Sequence, residues 1–368
     1  MRLPSFNDLY EEQRLAFMAD PDCSILVVGP PGSGKTSVAL WKANVLAGPG
    51  YERRVTVITR NRLLAALSTQ ISQDLGNAPV NSVTMHAFVW NHYSENIGGC
   101  LPQVAPYCPD WNEIIRKYDE VGVLPVVDHL IVDEGQNLPK GFFVWARRFV
   151  AVAVSVFADE NQSTDVGGCH ISDLVDAGFT EVHPLTFNHR NTREIAELAE
   201  YFHRDRNLPP APAQRGRSNE RPRLIDVQNW ISLVHQISVR FMNRGGAFGV
   251  ILYRKDDVEA IYRLLSEKLP SARVERYTSD AAPRAEDAIR MREQGITIIS
   301  GESAIGLEFD TVYLQDLERS LPAHQPVQRR RLYMLCARAR DMLILINGPN
   351  QLSMAQLGDL PPAPVLVR

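Results

Sequence analysis

The residues Gly29-Pro30-Pro31-Gly32-Ser33-Gly34-Lys35-Thr36 bring together the side chains and the small residues that hold a phosphate chain. In such a loop successive backbone N–H groups turn inward around phosphate oxygens, and a helix opening at Lys35 adds the partial positive charge of its N-terminus. Gly29, Gly32, Ser33 and Gly34 would shape the cradle. Lys35 would reach the β- and γ-phosphates, and the Thr36 hydroxyl would ligate Mg²⁺. At this composition the four fixed positions of the pattern coincide by chance about 0.002 times in the whole chain, so the loop is a specific signal. A second signal is Leu130-Ile131-Val132-Asp133-Glu134, an apolar run that ends on two acids. Asp133 is the candidate Mg²⁺ ligand, and Glu134 the candidate base that orients and deprotonates a water for attack on a γ-phosphate. ATP and Mg²⁺ are the expected cofactors.

Both motifs need a parallel sheet to present them. Apolar runs at Ser24–Val28, Arg54–Thr59, Asp128–Val132, Ala151–Phe157, Phe248–Tyr253, Ile296–Ser300, Thr311–Leu314 and Met342–Ile346 predict strands. Helical patterns lie between many of them, at Lys35–Leu46, Arg62–Leu75, Thr192–His203, Asp256–Leu269 and Gln328–Ala339. This alternation predicts an α/β chain with parallel sheets covered by helices. The pattern restarts near Phe248, which predicts two lobes, residues 1–182 and 183–368. Arg204–Arg223, with six Arg and four Pro, reads as an exposed connection, either a solvated loop or a contact for a nucleic-acid backbone.

At 368 residues the chain has room for two domains, and its 45% hydrophobic and 22% charged residues exclude a largely disordered or coiled-coil class. The formal charge of −4 supplies no global field for a polyanion, so any nucleic-acid surface must be a local basic face. Only six of the 39 basic residues are Lys. Five cysteines without a C-x-x-C pair, a polar N-terminus and no apolar stretch near roughly 20 residues predict a soluble, cytoplasmic chain that does not engage a membrane. Cys169-His170 lacks a second ligand pair at zinc-site spacing and reads as a loop element.

Further short segments, in order along the chain, resemble the motifs of superfamily 1 helicases of the UvrD/Rep type. Phe6-Asn7-x-x-Tyr10-x-x-Gln13 is similar to the Q motif, Val57–Asn61 to motif Ia, Thr84–Phe88 to motif Ib and Asp133-Glu134-Gly135-Gln136 to the D-E-x-Q box. Phe157–Gln162 resembles motif III, Leu185–Arg190 motif IV, Gly306-Leu307-Glu308-Phe309-Asp310 part of motif V and Leu332–Ala339 motif VI. The resemblance implies two RecA-like P-loop NTPase lobes. It implies that Gln13 reads the adenine edge, that Gln162 senses the γ-phosphate, that Arg190 reaches it, that Arg338 acts as an arginine finger and that Glu308 lies near the ribose. It also implies that Thr59, Arg60, Asn61, Thr84 and His86 face a single strand, DNA in preference to RNA, with 3′ to 5′ movement.

The chain departs from that pattern in two respects. About forty residues separate the motif Ib segment from the D-E-G-Q strand, and about twenty separate Arg276 from the motif V strand, so the large inserted subdomains of the family are missing. Family motif V reads T-x-H-x-x-K-G-L-E, whereas this chain has Ser300-Gly301-Glu302-Ser303-Ala304-Ile305-Gly306-Leu307-Glu308. Glu302 would repel phosphate and Ile305 cannot pair with it. Directly after Gln162 the chain continues Ser163-Thr164-Asp165-Val166-Gly167-Gly168 in place of the family's usual aromatic residues, which removes stacking platforms; Trp90 is the one tryptophan near motif Ib. Two functions therefore compete: a nucleic-acid-stimulated ATPase motor, and an ATP-driven switch that controls a protein partner such as a nuclease without productive unwinding. A small-molecule kinase would leave Arg190, Glu308 and Arg338 without a role.

Overall fold

The computed structural model describes residues 6–60, 62–74, 80–159, 168–203, 211–218, 220–282, 284–290 and 293–368. Fourteen strands are assigned among them: β1 (Ile25–Val28), β2 (Val55–Thr59), β3 (Asn81–Thr84), β4 (Gln103–Ala105), β5 (Cys108–Pro109), β6 (Val127–Val132), β7 (Ala151–Ala158), β8 (Glu181–Pro184), β9 (Arg223–Asp226), β10 (Ala247–Leu252), β11 (Val274–Tyr277), β12 (Gly295–Ser300), β13 (Phe309–Leu314) and β14 (Ala339–Asn347). The chain divides into two compact units, one of residues 34–185 with the segment preceding Pro30, the other of residues 186–368 with Pro30–Ser33.

The first unit holds a six-stranded sheet in the order β3-β2-β6-β7-β1-β8, parallel throughout. A parallel sheet needs helices on its faces, which is why its inner strands are nearly continuous apolar runs. All five residues of β2 and the last four of β6 are buried. One face packs under Val38, Ala39, Ala43 and Leu46 of helix Lys35–Ala47. The other packs under an aromatic cluster that includes Phe88, Tyr93, Tyr118, Phe142 and Trp145. β4 and β5 form a separate antiparallel hairpin.

The second unit repeats the plan with a six-stranded parallel sheet in the order β11-β12-β10-β13-β14-β9. Helices Trp230–Arg244 and Lys255–Lys268 cover one face through Leu233, Ile237, Val258, Ile261 and Leu265. The α/β class expected from the sequence, with two parallel sheets covered by helices, is what the chain forms. In the first sheet the phosphate loop follows β1 and Asp133-Glu134 follow β6, at C-terminal strand ends where open parallel sheets generally place their ligands, whereas in the second sheet Glu308 and Arg338 immediately precede β13 and β14.

Candidate functional site

In the first sheet β1 delivers the phosphate loop and β6 delivers the acids, with β7 between them. The loop turns because Gly32 and Gly34 adopt φ of +80° and +88°, a region that penalises a Cβ. A Cβ on Gly34 would also collide with the Gln13 side-chain amide. Gln13 is thus packed against the loop, 4% exposed, with its Oε1 accepting the Tyr10 N–H at 3.0 Å. The Gly29 N–H donates to the Ala158 carbonyl at 3.2 Å, which fixes the loop's first residue to β7. Ser33 is buried.

Lys35 opens the following helix, and its ammonium donates to the Gly29 carbonyl at 2.6 Å and lies 3.6 Å from Asp159. Thr36 donates its hydroxyl to Asp133 Oδ2 at 2.8 Å, across 97 residues of sequence. Burial pushes the Asp133 carboxyl above the usual carboxylate range, and the neighbouring Glu134 adds to the rise; Thr36 and Lys35 pull the other way without cancelling it. Such a carboxylate gains from a cation beside it. The oxygen donors of Thr36 and Asp133 suit a hard ion such as Mg²⁺.

Glu134 is 5% exposed and held at φ +57°, a strained conformation for a residue with a side chain. Gln136 donates to Glu134 Oε2 at 2.6 Å, and its own Oε1 accepts the Asp159 N–H at 3.0 Å. Gly135 permits this turn to lie on β7, because a Cβ there would stand 2.5 Å from Val156 Cγ1. Gln136 and Asp159 belong to the site as built, yet neither was among the residues singled out for a role. Their signal is present in the sequence, in the fourth position of D-E-G-Q and in the acid that directly follows β7.

The candidate strand contacts also meet at this sheet edge. Thr59 and Thr84 are register partners at the ends of β2 and β3, Arg60 follows Thr59, and His86 is exposed in the first turn of helix Met85–Asn96. Asn61 and Gln162 lie outside the described residues. Cys169 is buried, with its thiol 3.8 Å from the Gly135 carbonyl. Among the described residues no group of three or more His, Cys, Asp and Glu side chains could hold a metal, and no helix is long and apolar enough to cross a membrane.

In the second unit three distant segments converge. Arg190 Nε donates to Glu308 Oε2 at 2.7 Å and its Nη1 to the Ala337 carbonyl at 3.5 Å. Burial alone would raise the Glu308 carboxyl, but the Arg190 and Arg340 charges outweigh it and hold the group below the usual range. Arg338 is 1% exposed; its Nε donates to the Met334 carbonyl at 2.9 Å and its Nη1 to that of Leu307 at 3.3 Å. Glu308 and Arg190 therefore form an ion pair, and Arg338 ties the Gly306–Asp310 segment to the helix Pro326–Cys336. In the altered loop, Glu302 pairs with Arg319 at 2.7 Å and Ile305 is buried.

No family model matches this chain, and no curated protein matches it. Among solved structures, the PRRSV helicase is 15% identical over 95% of this chain and 57% of its own, with a TM-score of 0.43. The chain thus spans little more than half the length of that relative. The C-terminal domain of a possible DNA helicase from Lactobacillus plantarum is 19% identical over 49% of this chain and 97% of its own, with a TM-score of 0.32.

Proposed function

We propose that the chain is an ATP-hydrolysing, single-strand-stimulated motor of the helicase type. The observation that carries this reading is the cluster of buried Lys35, Asp133, Glu134, Gln136 and Asp159 with half-buried Thr36 at the C-terminal edge of the first sheet. There Lys35 and the loop N–H groups bind the triphosphate, and Glu134, aimed by Gln136, accepts a proton from the attacking water. Thr36 and Asp133 would hold Mg²⁺, which supplies charge neutralisation for the phosphates when bound. Arg338 serves as the finger, Arg190 as a further γ-phosphate contact, Gln162 as the γ-phosphate sensor, Glu308 as the ribose contact and Gln13 as the adenine reader; for these five the support is the motif resemblance. The same resemblance supports superfamily 1 of the UvrD/Rep type, 3′ to 5′ movement and single-stranded DNA as the track.

ATP turnover by the purified chain should rise severalfold with added single-stranded DNA, and Lys35→Ala should weaken nucleotide binding about 10- to 100-fold. A turnover that stays flat across DNA and RNA titrations would sink the motor reading. A second reading, an ATP-driven switch acting on a protein partner, is favoured by one observation: the loop expected to offer cations to the strand instead carries a Glu302–Arg319 pair and a buried Ile305. Nucleotide-dependent retention of a nuclease partner without strand displacement would support that reading; robust unwinding by the isolated chain would remove it.

A further inference from the structure

Beside the strand contacts at the edge of the first sheet lies a pocket of about 460 Å³, within the roughly 300–1,000 Å³ of small-ligand sites. His86, Trp90, Leu101, Gln103, Pro106 and Tyr107 line it, between helix Met85–Asn96 and the β4–β5 hairpin. We propose that this pocket takes one unstacked base of the single strand, an inference that rests on the nucleic-acid reading above and adds a specific subsite to it.

The hairpin tip is the first argument. Pro106 followed by a positive φ matches the pattern of a type II turn, in which the second central position normally takes Gly. Here that position is Tyr107, at φ +62° and 82% exposed. Stability gives no reason for an aromatic residue in a glycine's conformation, and strain of this kind gathers at functional sites. The tip is also fastened. The Tyr107 N–H donates to Gln103 Oε1 at 3.0 Å, and His86 Nε2 donates to the Tyr107 carbonyl at 2.9 Å.

The second argument is chemical. Trp90 stands four residues after His86, on the same helix face, and leaves 49% of its surface open. The lining carries aromatic faces and the polar edges of Gln103 and His86, and no Lys, Arg, Asp or Glu. A phosphate or a charged peptide finds no counter-charge there, whereas a flat neutral ring finds stacking surface and hydrogen-bonding groups. Position is the third argument. The helix begins directly after Thr84, the partner of Thr59, so a backbone followed along Thr59, Arg60 and Thr84 leads to His86 and the pocket mouth.

The test compares a labelled oligothymidylate with an abasic oligomer of equal length, which keeps the phosphates and lacks the bases. Trp90→Ala and Tyr107→Gly should each weaken oligothymidylate binding about 5- to 100-fold, with Trp90→Phe close to wild type, and neither should change abasic binding. Because glycine suits φ +62°, Tyr107→Gly should also melt no lower than wild type, which separates lost stacking from misfolding. If the variants bind oligothymidylate like wild type while the wild type binds DNA, the base subsite is wrong, the motor reading stands, and an apolar segment of a protein partner becomes the better occupant. If the wild type binds neither oligomer at low salt, the nucleic-acid reading itself falls, and the subsite with it.

Discussion

Glu134 is the side chain whose surroundings most favour the role proposed for it. Its backbone is strained, its carboxylate is buried, and Gln136 holds one of its oxygens while being held in turn by the Asp159 N–H. Removing the charge with Glu134→Gln should leave ATP bound while lowering kcat about 10²–10⁴-fold, the range of a lost general base. On the proposed function Gln136 acts through Glu134, as a positioning residue. Gln136→Ala should therefore lower kcat with KM almost unchanged, and an equal rise in KM would show that Gln136 touches the nucleotide instead.

Among the elements, the loop Ser300–Leu307 differs most from the family pattern, and the structure accounts for part of the difference. Ile305 is a core residue, Ser300 and Ser303 bond to each other at 3.0 Å, and a Cβ on Gly301 would collide with the Asp316 carboxylate, itself paired with Arg331. Glu302 sits at the surface, and its ion pair with Arg319 holds its carboxyl below the ordinary range. Glu302→Gln would remove the carboxylate paired with Arg319. If this loop faces the strand, single-strand affinity should rise and the slope of log K against log salt should steepen by about 0.7, the value for one added phosphate contact. An unchanged slope would place Arg319 away from the strand.

For the whole first unit, acid stability follows from two histidines that are buried neutral. His129 is wedged between the Pro21 carbonyl and Ser155 Oγ, at 2.9 and 2.7 Å, and His92 bonds Tyr118 Oη at 2.8 Å inside the aromatic cluster. Burial pushes both down to about 4 from an ordinary 6.5. The unfolded chain thus takes up protons first as pH falls below 6.5, so each histidine removes stability progressively down to about pH 4 and none above 6.5. Asp133, raised by burial, works in the opposite sense. His92→Phe isolates one contribution: between pH 6.5 and 4 the variant should lose less stability than wild type, by up to about 3 kcal/mol in urea titrations. Parallel pH profiles for the two proteins would show that His92 is protonated in the folded state.

All eight strand runs legible in the sequence are interior strands: β1, β2, β6 and β7 in the first sheet, β10, β12, β13 and β14 in the second. Burial on both faces demands an unbroken apolar run, so these elements and the loops at their ends, with Lys35, Thr36, Asp133 and Glu134, were written in residue type alone. Of the six strands the sequence hid, two form the β4–β5 hairpin and four are the edges of the two large sheets, β3, β8, β9 and β11. The compositions of these edges, Asn-Ser-Val-Thr and Val-Glu-Arg-Tyr among them, are mixed because an edge is half solvated and becomes a strand only when a neighbour offers its ladder. Tertiary structure likewise decided that Gln136 bonds Glu134, that Arg190 meets Glu308 and that Tyr107 and Trp90 line one pocket. Such pairings depend on where the chain crosses back, and local sequence carries no record of that.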